Sequence, residues 1–265
     1  MMNETPCELK RLCDAPCVIE IADSLPSTNT VLKGMAAELP HGYTLSAREQ
    51  TAGRGQRGNT WESEPGMNLT FSILLRPRHI APAGQFVISE AVAVGISEAI
   101  DRLLPAGMET RIKWPNDIYV GDRKICGILI EHTIGSAAVI SHTVAGAGIN
   151  VNQRRFLSDA PNPVSLWQLT AAEHDTEAFL KNVAEEVLRK FEWVDGGSQR
   201  GASDLHRRFM AKLWRNDGRL HPFRLPDGTD FLASIGDVAP DGRLTLVDRE
   251  GKVRRFYFKE VAFVL

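Results

Sequence analysis

Cysteine is scarce in this 265-residue chain: Cys7, Cys13 and Cys17 near the start, and Cys126 inside an apolar run. Four such residues build no disulfide framework. The N-terminal three match no paired zinc spacing, and Cys126 reads as a small core residue. No apolar run approaches the roughly 18 residues a membrane helix needs. The polar stretch 1–10 has no signal-peptide core. A cytoplasmic protein without membrane partners is expected. Neither sign of charge is in excess, with 31 Lys and Arg against 33 Asp and Glu. That balance excludes the broad attraction to nucleic acid of a basic domain. Internal repeats and low-complexity tracts are also missing. What is present is 43% hydrophobic residues, ample for one large domain or two.

The most informative stretch is Gly53-Arg54-Gly55-Gln56-Arg57-Gly58. It fits the letters of the dinucleotide fingerprint, which requires a helix directly afterwards and an acidic residue about 20 positions on. Here Glu62-Ser63-Glu64-Pro65-Gly66 follows, and proline and glycine cannot sit inside a helix there. No Asp or Glu lies between Glu64 and Glu90. The dinucleotide reading fails, but its physics survives. Three glycines let backbone amides approach an anion. Arg48, Arg54 and Arg57 surround the loop with planar donor forks suited to phosphate or carboxylate.

A loose arm at 1–16 precedes a first strand at 17–22. Ser27-Thr28-Asn29-Thr30 then offers N-cap oxygens to a helix whose Val31, Leu32, Met35, Ala36 and Leu39 fall at helical spacing. Free amides and hydroxyls at such a helix mouth can also hold a ligand's carbonyl and N–H groups. Strands are expected at 43–47 and 68–75, and a buried helix at 89–104. Pro115 forces Trp114 to be extended. Residues 111–114 therefore read as a strand, with Arg111 and Lys113 on one face and Ile112 and Trp114 on the other. A hairpin joins 118–120 to 124–131, and Gly127 within it marks a close approach of backbone or ligand. An apolar strand at 139–145 runs into the glycine-rich Gly146-Ala147-Gly148-Ile149-Asn150. Two core-facing helices carry Phe179, Val183, Val187 and Phe191, then Leu205, Phe209 and Leu213. Beyond residue 217, turn signals at Asp227-Gly228, Asp241-Gly242 and Glu250-Gly251 predict a small antiparallel barrel or meander.

Taken in order, Ser27-Thr28-Asn29, Gln50-Thr51-Ala52-Gly53-Arg54-Gly55, Trp61, Lys113-Trp114-Pro115-Asn116-Asp117, Lys124 to Glu131 with Gly127, and residues 146–150 resemble the biotin protein ligases. Each motif is weak alone, and the ordered set over roughly residues 18–155 is specific. The resemblance implies an α+β fold. Its parts would be a class II aminoacyl-tRNA synthetase-like catalytic domain (1–217), a mixed sheet flanked by helices, and a small C-terminal SH3-like barrel (218–265). It also implies two steps: biotin and MgATP give biotinyl-5′-AMP, which then acylates a lysine of a biotin carboxyl carrier domain of an acyl-CoA carboxylase.

By position, the resemblance implies that Ser27, Thr28 and Gln50 meet the biotin ureido ring with the backbone at Gly53, and that Asn29 and Gly127 are further biotin-binding positions. Arg54, Gly55 and Gln56 would close over the carboxylate and phosphate. Lys113, with Arg54 the catalytic pair, would reach the reacting carboxylate and the α-phosphate. Trp61, Arg57, Asn116 and Asn150 are the further ATP and adenylate candidates. Mg²⁺ is expected with ATP, with Asp117 the carboxylate nearest to that role. The family includes monomers and homodimers.

Two departures from the family pattern carry expectations. Many members have Arg where this chain has Gln56, and a neutral amide cannot pair bidentately with phosphate. A leakier adenylate is expected unless Arg57 or Arg48 substitutes. Only 16 residues precede the first strand, too few for the helix-turn-helix of repressor-type members; no operator binding is expected. The rivals are a lipoate-type ligase or octanoyl transferase of the same fold, and a nucleic-acid-binding adaptor using Arg254, Arg255, Phe256, Tyr257 and Phe258. No Arg-Arg-x-Ser-Gly-Gly-Gly motif of the lipoate branch is found.

Overall fold

The computed structural model describes residues 9–13, 17–55, 60–135, 138–157 and 161–264. Its largest element is an eight-stranded sheet ordered β1-β2-β3-β4-β8-β7-β6-β5. These strands are β1 (Leu9–Cys13), β2 (Ile19–Leu25), β3 (Thr44–Gln50), β4 (Leu69–Leu75), β5 (Thr110–Lys113), β6 (Asp117–Val120), β7 (Arg123–Ile134) and β8 (Ile140–Ile149). Only β2 and β3 pair in parallel, through a crossover containing helix α1 (Thr28–Met35); the other neighbours are antiparallel. The sheet is therefore mixed, and its central strand β4 is buried along its whole length, as expected of a strand covered on both faces.

On one face lies α1 with Leu32, Tyr43, Leu45, Leu74 and Val144. On the other, α2 (Phe86–Asp101) packs against α4 (Thr176–Asp195) and α5 (Gln199–Lys212). Short α3 (Leu166–Thr170), closed by a Ser165–Gln168 capping box, was not foreseen. The Asp175 side chain accepts from the amides of Glu177 and Ala178 and starts α4. Ser198 does the same for α5 at Gly201.

Two expectations need correction. The arm is not loose where it is described: Leu9–Cys13 pairs antiparallel with β2 as an edge strand. Arg11 reaches Glu20 at 2.7 Å and Lys10 reaches Glu177 at 2.6 Å, so polar side chains tie it down. The apolar-run reading was also too strict. Pro82–Asp101 is long and apolar enough by composition to cross a membrane, at mean hydropathy 1.3, yet 67% of it is buried inside the protein as the core helix.

The chain beyond α5 returns to the main sheet, where Leu213 bridges Ile112. It then forms a second, five-stranded antiparallel sheet ordered β12-β11-β10-β9-β13. Its strands are β9 (His221–Arg224), β10 (Asp230–Val238), β11 (Leu244–Asp248), β12 (Val253–Phe256) and β13 (Ala262–Phe263). The three foreseen turns carry Gly228, Gly242 and Gly251 at φ 89°, 87° and 78°, a region glycine enters without steric penalty. This sheet is docked firmly. Trp114 Nε1 donates to Gly242 O at 2.9 Å, Arg215 Nη1 to Val264 O at 2.7 Å, and His206 Nε2 lies 2.9 Å from Asp237.

Candidate functional site

A cavity of about 1000 Å³ opens where the N-terminus of α1, the loop after β3, strands β5 to β8 and the second sheet meet. Ser27, Thr28, Asn29, Gln50, Arg54, Gly55, Trp61, Lys113, Asn116, Asp117, Gly127 and Asn150 all line it. Gly53 lies just outside the lining, at the neck of the loop, where its carbonyl receives the Trp61 amide at 3.3 Å. Gln56 and Arg57 lie outside the described residues. Arg48 turns elsewhere: its guanidinium meets Glu177 at 2.8 Å and Asp23 at 3.4 Å. It ties β3 to the start of α4.

One corner of the cavity is uncharged and built for hydrogen bonding. Ser27 holds the N-cap position of α1, but its side chain makes no capping bond. Gln50 caps instead, its Oε1 accepting from Thr28 N at 2.8 Å and Thr28 Oγ1 at 3.2 Å. Buried Ser72 Oγ donates to Asn29 Oδ1 at 2.5 Å and lies 2.8 Å from Thr28 Oγ1. Asn29 Nδ2 donates to Leu129 O at 3.2 Å and to Glu131 at 3.1 Å. The network fixes which face each polar group turns to the cavity. Ser72 and Glu131 were missed as members of it. A serine within the apolar β4 carries no local signal, and Glu131 was noted only as the end of the hairpin run that resembles the family.

The floor is bare backbone. Gly127 and Gly148 are register partners across β7 and β8, and the indole of Trp61 rests on them. A Cβ at Gly148 would fall 2.3 Å from Trp61 Cε2, and one at Gly127 2.9 Å from Trp61 Cζ3. The glycine-rich stretch 146–148 continues strand β8. Trp61 Nε1 is buried with no hydrogen-bond partner, and Lys124 Nζ lies 5.6 Å from the ring centroid.

The charged wall faces this floor. Lys113 Nζ donates to Tyr119 Oη at 3.2 Å. It lies 5.0, 5.8 and 5.9 Å from the ring centroids of Tyr119, Trp214 and Phe263. Burial pulls its pKa below the ordinary lysine value, against the opposing field of Asp117. Arg54 Nη1 donates to Thr30 at 3.2 Å and its Nη2 lies 3.7 Å from Glu131. Lys124 pairs with Asp117 at 2.8 Å. Asn116 donates to Ile128 O, and Asn150 Nδ2 to Val164 O at 3.0 Å, while Asn150 Oδ1 is buried without a partner. Cys126 is fully buried in the core, where desolvation raises its thiol pKa. The second sheet supplies the remaining wall through Phe258, Lys259, Val261, Ala262 and Phe263. No sequence signal pointed there.

A cavity of this make, with an amide-and-hydroxyl corner, a glycine floor and cations on loop and strand, is suited to an acyl chain meeting a phosphate. The fold is shared with solved biotin protein ligases. A ligase of Aquifex aeolicus, solved with biotin and ATP, superposes with TM-score 0.75 over 92% of this chain and 97% of that one, at 22% identity. Residues 21–150 match the model of the Biotin/lipoate A/B protein ligase family. A biotin--[acetyl-CoA-carboxylase] ligase of Paracoccus denitrificans is 32% identical over 62% of this chain and 68% of its own length. One from Mycobacterium tuberculosis is 28% identical over 86% and 82%. The chain belongs to the biotin/lipoate protein ligase family. It spans less of other relatives: the bifunctional ligase/repressor BirA of Escherichia coli is 37% identical, but over only 44% of its length.

Proposed function

We propose that the protein is an ATP-dependent biotin ligase that makes biotinyl-5′-AMP and passes the biotinyl group to a lysine of a carboxylase carrier domain. The observation that carries this reading is the meeting of Arg54, on the loop, and Lys113, on a fixed strand, in one cavity beside an uncharged hydrogen-bonding corner. The names of the Paracoccus and Mycobacterium relatives support the acceptor.

In the first step a carboxylate oxygen of biotin attacks the α-phosphorus of ATP. The bond to the bridging oxygen breaks, and pyrophosphate leaves with the electron pair. Two anions must approach, so positioned cations matter more than a proton acceptor. Ser27, Thr28, Asn29 and Gln50 would hold the ureido ring, with Gly53 at the neck of the loop. Arg54, Gly55 and Gln56 would cover the carboxylate. Lys113 would sit between carboxylate and α-phosphate. Gly127 leaves room above the sheet, and Trp61, Arg57, Asn116 and Asn150 would take the nucleotide end. In the second step the carrier amine attacks the acyl carbon and AMP leaves; a closed loop protects the anhydride from water until then.

Among the described residues no cluster of three His, Cys, Asp or Glu forms a metal cage. Mg²⁺ would therefore be held chiefly by the triphosphate, with Asp117 as the approachable carboxylate. When bound, it supplies further positive charge to the phosphates. Residues 1–217 are read as the catalytic unit of class II synthetase type. Residues 218–265 are read as an SH3-like domain, a reading supported by the five-stranded sheet and its three glycine turns.

Incubation with labelled biotin, MgATP and a carrier domain tests the proposal. Label should reach the carrier only with ATP, and lipoate should not compete. Efficient transfer of lipoate instead would move the reading to the lipoate branch, and transfer of neither acid would end it.

A further inference from the structure

Four cations line the cavity among the described residues: Arg54, Lys113, Lys124 and Lys259. Three are engaged by the protein itself. Arg54 lies near Thr30 and Glu131, Lys113 donates to Tyr119, and Lys124 pairs with Asp117. Lys259, exposed in the turn between β12 and β13, makes no hydrogen bond or ion pair with any described residue. Its position is nevertheless fixed. Next to it, Phe258 meets the Trp114 ring edge-on at 6.1 Å, and Phe263 meets Trp214 at 5.4 Å. The turn is closed by Glu260 N to Tyr257 O at 3.0 Å and by Tyr257 N to the Glu260 carboxylate at 2.7 Å. The residues around Lys259 thus pack on Trp114, next to Lys113 in sequence, and on Trp214, whose ring centroid lies 5.8 Å from Lys113 Nζ.

Resting on the biotin ligase reading, we infer that Lys259 is the cation of the second sheet that pairs with the β- and γ-phosphates of ATP and with the departing pyrophosphate. The leaving group gathers negative charge as the bond from α-phosphorus to bridging oxygen breaks. An ammonium with no partner among the described residues is available to meet that charge without first breaking a contact with any of them. The small sheet then has a defined part in the adenylation step, and none is required of it in acyl transfer from a preformed adenylate.

The backbone supplies a clean test. Lys259 has φ 76°, the left-handed region that side-chain-bearing residues avoid and glycine accepts. Lys259→Gly removes the charge while relieving the backbone, so folding is not at risk. Biotin-dependent ATP–pyrophosphate exchange should show KM for ATP and for pyrophosphate raised about tenfold, the size of one lost charge-assisted contact. KM for biotin should be unchanged, the melting temperature equal or higher, and Lys259→Arg near wild type. Transfer from supplied biotinyl-5′-AMP to a carrier domain should also be unchanged. Unaltered KM for ATP and pyrophosphate in Lys259→Gly, with the wild type exchanging normally, would overturn the inference alone. So would a Lys259→Arg variant as impaired as Lys259→Gly. A wild type without biotin-dependent exchange would remove the functional reading and this inference with it.

Discussion

Lys113 Nζ lies 5.9 Å from the ring centroid of Phe263, so a residue of the second sheet faces the lysine of the main one. Tyr119 and Trp214 complete a three-ring enclosure around the same ammonium. Such contacts are worth about 0.5–2 kcal/mol each, and here their use is orientation. Phe263→Ala should lower kcat for adenylation about three- to tenfold with KM for biotin little changed, and Phe263→Tyr should recover most of it. Steady-state exchange kinetics check this. A loss confined to KM for biotin would show that Phe263 does not act through Lys113.

The hydrogen-bonding corner depends on a missing side chain. A Cβ at Gly146 would fall 1.9 Å from Asn29 Oδ1, so Gly146→Ala must push Asn29 off Ser72 and Glu131. The expected outcome is a rise of about tenfold or more in the dissociation constant for biotin, the scale of two disturbed buried hydrogen bonds. Nucleotide binding should change far less. Isothermal titration of each ligand separates the two.

Gly148→Ala addresses the floor in the same way. With a Cβ 2.3 Å from the indole, Trp61 must leave its seat. Tryptophan emission should shift to the red as the ring meets water, and the shift should vanish in a Trp61→Phe background. A shift that survives in that background would place the disturbance at another tryptophan.

The sequence made the centre of the site legible because its residues fall in short local motifs. Ser27-Thr28-Asn29 sits at a helix mouth, Gln50 ends a strand, and Lys113 is fixed by Pro115 beyond it. Turn glycines likewise marked the second sheet. What could not be read arises from contacts between distant segments. Ser72 joins the corner from a strand whose other residues are nearly all apolar. Phe263 and Lys259 reach the cavity only because Trp114 and Trp214 dock the second sheet there. Arg48 resembled a loop cation, and only folding shows Glu177 beside it. The N-terminal strand β1 escaped notice because its pairing with β2 is supported by charged side chains rather than by an apolar alternation.

A pH effect on stability is expected where α2 and α5 meet the second sheet. His206 lies between Glu90 (2.7 Å) and Asp237 (2.9 Å). The hydrogen bond to Glu90, followed by the charges of Glu90 and Asp237, pushes its pKa from 6.5 up to about 9. Burial pushes the Glu90 carboxyl upward, opposed by the hydrogen bond to His206. A raised histidine pKa stabilises the fold fully below 6.5, and the gain is lost as pH rises through about 9. Solvent screening at the half-exposed imidazole reduces its size. The melting-temperature advantage of wild type over His206→Gln should therefore shrink between pH 6.5 and 9. A constant difference across that range would contradict the assignment.

The most direct measurement of the central claim is biotin-dependent ATP–pyrophosphate exchange by the wild type, Lys113→Ala and Arg54→Ala. If loop and strand cations together bring carboxylate and phosphate into reaction, the wild type exchanges label and Lys113→Ala falls by about a hundredfold or more, as for loss of a positioned transition-state contact. Arg54→Ala should fall as well, with both variants folded. Exchange by Lys113→Ala at the wild-type rate would contradict the account.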